Sequence, residues 1–203
     1  ITDVKNALVA LKENNVQQVI LDLRGNPGGL LTEAVEIVNL FVDKNQKIVS
    51  QKGKIREMNI DYFASKTAVD SEIPLVILVD KGSASASEIV TGAMQELDRG
   101  VIIGQRSFGK GLVQQTYNLS YNTLLKVTIA KYYTPSGRCI QALDYTHRNP
   151  DGSVYKVPDS LITEFKTKNG RTVFDGSGIF PDIYSDPEYY SPLTLALFSN
   201  YIF

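Results

Sequence analysis

Three short segments carry residue types suited to acyl transfer. Gly82-Ser83-Ala84-Ser85-Ala86-Ser87-Glu88 lies between an apolar run and a helix-like one. A serine there meets the positive end of a helix dipole and unbonded backbone N–H groups, surroundings that favour an oxyanion. Gly104-Gln105-Arg106-Ser107-Phe108-Gly109-Lys110-Gly111 sets a lysine between glycines. In dry surroundings a lysine can give up its proton: lowering its ordinary pKa of ~10.4 by roughly three costs about 4 kcal/mol and leaves a base usable near neutral pH. Phe108 and Leu112 are expected to form the apolar wall. Gln114, four residues beyond Lys110 and on the same face of a strand, would orient the amine through its amide oxygen. In Asp22-Leu23-Arg24-Gly25-Asn26-Pro27-Gly28-Gly29 the paired glycines let backbone N–H groups point into a cleft. Gly28 or Gly29 would then supply one oxyanion donor and Ala86 the other.

Each segment also has an ordinary explanation. Ser85-x-x-Glu88 matches a capping box, and serines ahead of helices are more often caps than nucleophiles. Loop lysines are mostly solvated, and a glycine-rich strand-to-helix turn needs no chemistry. The spacing from Gly104 to Lys110 also fits a phosphate-binding loop. That rival fails at Gly111, where Ser or Thr would hold magnesium, and at Leu112 to Tyr117, which looks like a strand instead of the required helix. The single histidine, His147, falls in the polar stretch Tyr145 to Gly152 and is expected to be a solvated loop residue. A Ser-His-Asp triad would have to borrow it. One cysteine, Cys139, supports neither an internal disulfide nor a Cys-based zinc site, so no metal or cofactor is expected.

The elements that must hold these segments follow from hydrophobic spacing. Residues 2 to 15 have helical periodicity, Val16 to Leu23 reads as a buried strand, and Leu30 to Phe41 as a helix. The order recurs with Pro74 to Val79 as strand, Asp80 to Ser83 as loop and Ala86 to Leu97 as helix, after which Val101 to Ile103 is another strand. Strands apolar on both faces and alternating with helices predict an α/β class with a mostly parallel sheet covered by helices. Beyond Lys110, Leu112 to Leu119 and Leu124 to Tyr133 predict a β-hairpin added to that core. Residues 142 to 177 are polar and dotted with Gly and Pro, and look like an insertion or long loop with short pieces of regular structure. Ser191 to Phe203 resumes apolar spacing as a short helix.

A length of 203 residues suits one domain over 1–203. With 21 Lys plus Arg against 22 Asp plus Glu, and no run of like charge, nothing favours nucleic acid or an anionic membrane as partner. No apolar run approaches the roughly 20 residues that span a bilayer. The chain opens directly on helical spacing at Val4, Leu8 and Leu11, which suggests that upstream parts are absent.

Taken in order, the segments resemble the C-terminal processing peptidases, or tail-specific proteases, serine peptidases with a Ser-Lys dyad on a crotonase-like or Clp-protease-like α/β core. The resemblance rests on Leu21 to Gly29, on Ser83 to Ile89, on Phe108 to Gln114 and on Tyr133-Thr134-Pro135-Ser136-Gly137-Arg138, and covers Val16 to about Gln141. It implies that Ser85, the middle serine, is the nucleophile, Lys110 its general base and Gln114 the group that positions Lys110. The oxyanion donors carry over as the N–H of Ala86 and of Gly28 or Gly29. It further implies an endopeptidase for unfolded or loosely structured polypeptides selected by their C-termini, usually through an upstream PDZ domain not seen here. The bacterial cell envelope, on its periplasmic or outer side, is the implied location, and the resemblance leaves room for a homo-oligomer. In such proteins Ile140-Gln141 and Gly178 to Ile183 lie close together in sequence, which marks 142 to 177 as inserted. The alternative is a binding or scaffold module on the same fold that holds peptide ends without cutting them.

Overall fold

The computed structural model describes residues 1–187 and 190–199, without the side chains of His147 and Asp159. Apolar residues three and four apart build α1 (Thr2–Glu13), α2 (Leu31–Asn39) and α3 (Ala86–Glu96). Between α1 and α2 runs β1 (Val19–Asp22), and between α2 and α3 run β2 (Lys47–Gly53), β3 (Ile60–Phe63) and β4 (Leu75–Val79). After α3 come β5 (Val101–Gly104), β6 (Leu112–Asn118) and β7 (Leu124–Tyr133). Two short hairpins follow, β8 (Leu143–Arg148) with β9 (Val154–Lys156) and β10 (Glu164–Lys166) with β11 (Thr172–Phe174). The last elements are β12 (Ile183–Tyr184) and α4 (Pro192–Ser199).

Four strands pair in parallel in the order β1-β4-β5-β12. Because side chains alternate across a strand, Leu75, Ile77 and Val79 of β4 all point to one face, where each is buried. Ala34 and Val38 of α2 and Ile89, Val90, Ala93 and Met94 of α3 are buried in the same core cluster. Each fully buried Ile, Leu or Val contributes about 1.5–3 kcal/mol relative to exposure, which is what drives the helices onto this face. The other face is less covered than expected: Ile20 is 65% exposed and Ile183 53%.

The β6–β7 hairpin forms within one residue of its predicted limits, β6 ending at Asn118, and turns through Ser120–Asn122. It is part of a second, antiparallel sheet of order β3-β2-β7-β6. Residues 142 to 177 hold the two short hairpins. Gly178 N–H donates to the Ile140 carbonyl at 2.9 Å, so the segments flanking this stretch adjoin in space. Tyr145 to Arg148, expected as loop, extends as part of β8, and the turn is confined to 149–152, where Gly152 N–H donates to Asn149 O at 2.8 Å. The expected solvation of the His147 side chain lies outside the described residues, as does the end of the predicted C-terminal helix at 200–203.

Candidate active site

All three chemistry-bearing segments leave the carboxyl ends of adjacent parallel strands, the edge where such sheets gather their ligands. Residues 23–30 follow β1, 80–85 follow β4 and 105–111 follow β5. Hydrogen bonds stitch the loops together. Asp80 Oδ1 accepts the Gly25 N–H at 2.8 Å, Ser83 Oγ donates to the Leu23 carbonyl at 2.7 Å, and the Asn26 carbonyl accepts from Ala84 N at 3.0 Å and Ser87 Oγ at 3.1 Å. The third loop joins through Phe108 N–H, which donates to Ser83 O at 3.0 Å.

Ser85 stands at the N-cap of α3, and a capping box does link it to Glu88. Its backbone is nevertheless unlike that of an ordinary cap, which is extended. At φ 57 and ψ −116 it occupies the first central position of a type II′ turn, a conformation usually left to glycine and costing roughly 1–3 kcal/mol. The sharp strand-to-helix turn carries the half-buried Ser85 to the wall of a cavity of about 270 Å³, also lined by Gly29, Leu31, Ala86, Lys110 and Gln114. Gly28, at φ +94, backs this turn closely. A Cβ on it would lie 2.5 Å from the Ala84 carbonyl oxygen and 2.7 Å from the Ala86 nitrogen. Its own N–H is engaged by Asn26 Oδ1 at 2.9 Å. Gly29 and Ala86 face the cavity, and neither N–H makes a hydrogen bond among the described residues.

Glu88 connects the serine and lysine loops. It is fully buried, and its Oε2 accepts from Ser85 N at 2.8 Å and from Lys110 N at 2.9 Å, while Oε1 accepts from Ser107 Oγ and Gly109 N, each at 2.6 Å. Burial pushes its carboxyl above the usual range against the pull of these four bonds. Gly111 N–H is held in turn by Gln141 Oε1 at 2.7 Å.

Lys110 is half-buried, and Gln114 is exposed. Among the described residues no hydrogen bond joins Ser85 Oγ to Lys110 Nζ, or Lys110 Nζ to Gln114. The Gln114 amide donates to Thr128 Oγ1 at 3.4 Å, and the β6–β7 register shifts between Val113 and Gln114. Phe108 is not the apolar wall that its position suggests. It is 55% exposed, since the chain alternates through Ser107, Phe108 and Gly109 and turns the ring outward. The wall is made by Leu112 with Ile89, Val113 and Tyr132. Strand β6 follows Gly111 directly, so the segment lacks the helix that a phosphate-binding loop requires. Sequence spacing did not reveal Tyr132 or the second duty of Glu88. The available signal was a carboxylate in the apolar helix Ala86 to Leu97 with no basic residue three or four positions away.

The profile of Peptidase family S41 matches residues 2–146. The chain belongs to peptidase family S41. Over 193 residues the S41 chain is 37% identical to a carboxy-terminal-processing protease of Bartonella bacilliformis, covering 91% of this chain and 44% of that protein. It is 42% identical over 146 residues to a CtpA-like serine protease of Staphylococcus saprophyticus, 71% of this chain and 29% of that protein. A solved structure, the photosystem II D1 C-terminal processing protease, matches with a TM-score of 0.66 and 32% identity over 90% of this chain and 38% of that one. The S41 chain therefore spans less than half the length of each of these relatives.

Proposed function

We propose that the S41 chain is the catalytic core of a serine endopeptidase that processes polypeptides from their C-termini with a Ser-Lys dyad. The reading is carried by the Ser85 backbone, a glycine-like conformation kept in a serine at the mouth of a cavity that Lys110 also lines. Ser85 Oγ attacks the scissile carbonyl and passes its proton to Lys110 Nζ. The tetrahedral oxyanion is met by the N–H groups of Ala86 and Gly29, Gly29 being favoured over Gly28 because the Gly28 N–H is already engaged. Collapse expels the amine, which takes the proton from Lys110. Water then hydrolyses the acyl-serine with the same lysine as base. Gln114, exposed at the wall of the cavity, orients the amine once substrate excludes water. The intact protein acts on unfolded or loosely structured polypeptides at the bacterial cell envelope, a location supported by family resemblance.

The test is covalent labelling of Ser85 by a fluorophosphonate, run beside cleavage of an unfolded reporter polypeptide by the intact protein. Lys110→Ala is expected to slow both by about 10²–10⁴-fold, the range for loss of a general base. Labelling that proceeds at the wild-type rate without Lys110 would mean that another base operates. A wild-type protein that binds peptides while Ser85 stays inert would instead favour a non-cleaving binding module.

A further inference from the structure

Tyr132 places a hydroxyl where the serine and lysine loops meet. It lies near the end of β7, is 2% exposed, and lines the same cavity as Ser85 and Lys110. Two bonds tie it to the lysine loop: its backbone N–H donates to the Gly111 carbonyl at 3.0 Å, and its hydroxyl donates to the Lys110 carbonyl. A phenol has one proton to give. With that proton on the Lys110 carbonyl, the hydroxyl anchors the main chain of the lysine at the cavity wall. Burial, together with the nearby Glu88 carboxylate, pushes the phenol well above its ordinary range, so the proton stays in place. Filling space does not account for the group, since phenylalanine fills the same space without a polar atom to satisfy.

We infer that Tyr132 is a positioning residue whose hydroxyl holds the Lys110 main chain at the cavity wall and so sets where the lysine stands relative to Ser85. The inference rests on the Ser85 and Lys110 assignments made above. To the Glu88 carboxylate, which holds the backbones of both loops, it adds a tie from β7 to the lysine loop.

The decisive measurement is kcat per labelled site in the intact protein, with fluorophosphonate titration counting competent Ser85 and a reporter polypeptide giving kcat and KM. Tyr132→Phe is expected to lower kcat per labelled site by about 10- to 100-fold, as misplacement of reacting groups does, with KM changed less than about threefold. Tyr133→Phe, which removes a phenol from the same strand outside the cavity, is expected to match wild type. If kcat per labelled site in Tyr132→Phe stays within about twofold of wild type, the inference is wrong, even where the labelled fraction drops, because that drop alone marks a structural role. Should the Phe variant fail to fold, 4-fluorophenylalanine at position 132 keeps the ring and nearly fills the space of the hydroxyl but has no proton to donate to the Lys110 carbonyl. It must then lower kcat per labelled site, and an unchanged value overturns the inference. A wild-type protein that never labels at Ser85 overturns the proposed function and this inference together, whereas an active wild type with an unaltered Phe variant overturns this inference alone.

Discussion

Glu88 holds four donors on one carboxylate, and two of them are the backbone N–H groups of Ser85 and Lys110. Glutamine at this position would turn an amide NH₂ toward two of those donors whichever way it was oriented. Each buried donor left without an acceptor costs about 1–3 kcal/mol, so Glu88→Gln should destabilise the protein by at least about 2 kcal/mol in urea unfolding and slow fluorophosphonate labelling of Ser85. The pH dependence has a definite sign. Burial raises the folded-state carboxyl above its ordinary 4.5, so over that window the folded state holds a proton that the unfolded state has lost. Stability from Glu88 therefore declines as pH climbs from 4.5 through the folded value, and the Gln variant should lose that part of the slope. Half of this arrangement was legible in the sequence, because Ser85-x-x-Glu88 is a local pattern. The donors from Gly109 and Lys110 are distant in the chain, and only folding of the third loop brings them to the same oxygens.

At the level of elements, the strands and helices that carry the site were legible because the parallel core buries whole apolar runs. Leu75 to Val79 shows no polar interruption, and Ala86 to Leu97 has helical spacing. Strand β2 was not legible, since its buried positions include Ser50 at 1% and Gln51 at 7% exposure, and polar residues at core positions erase the alternation that betrays a strand. Strand β12 is two residues long and leaves no pattern at all. How the elements are held relative to one another depends on single polar side chains. Asp70 is one: its Oδ1 accepts from Glu72 N and Ile73 N ahead of β4, and its Oδ2 pairs with Lys12 of α1 at 2.7 Å. Its backbone N–H donates to the Leu40 carbonyl, just past α2. The Lys12 bond and these N–H donors lower its carboxyl to about 2 from an ordinary 3.8. The stabilisation is thus present above 3.8 and disappears as pH falls through about 2. Asp70→Asn should melt at a lower temperature than wild type at neutral pH, with the gap narrowing below pH 3.8 and closing near pH 2 in thermal melts followed by circular dichroism. A gap that persists unchanged at the acid end would show that the charge of Asp70 is not what matters.

Across the whole molecule, the proposed catalytic end of α3 and its opposite end are held by different chemistry. At the far end Arg138, with no exposed surface, donates to the Glu96 carboxylate, to Gln95 Oε1 at 2.7 Å and to the Phe174 carbonyl at 2.8 Å. Gln95 donates onward to the Phe180 carbonyl at 2.8 Å and to Asp182 Oδ1 at 3.0 Å, and Ser136 N–H reaches Glu96 Oε2 at 2.6 Å. One guanidinium thereby joins the segment after β7, the end of α3, the hairpin of β10 and β11, and the approach to β12. An ion pair this deep gains little net energy over an apolar pair, yet removing one partner strands the other without solvent or counter-charge. Arg138→Met should cost about 3–5 kcal/mol, read as a lower urea midpoint with an unchanged slope. Glu96→Gln on top of it should cost much less than it does alone, because the stranded carboxylate is then gone. The coupling distinguishes a buried charge problem from a simple loss of packing, for which the two losses would add. Since α3 rises 1.5 Å per residue, the lesion lies roughly 15 Å from Ser85. Labelling of the fraction still folded should therefore proceed at the wild-type rate, and a rate that fell with stability would instead mean that the whole of α3, and not its first turn alone, sets the geometry of the serine.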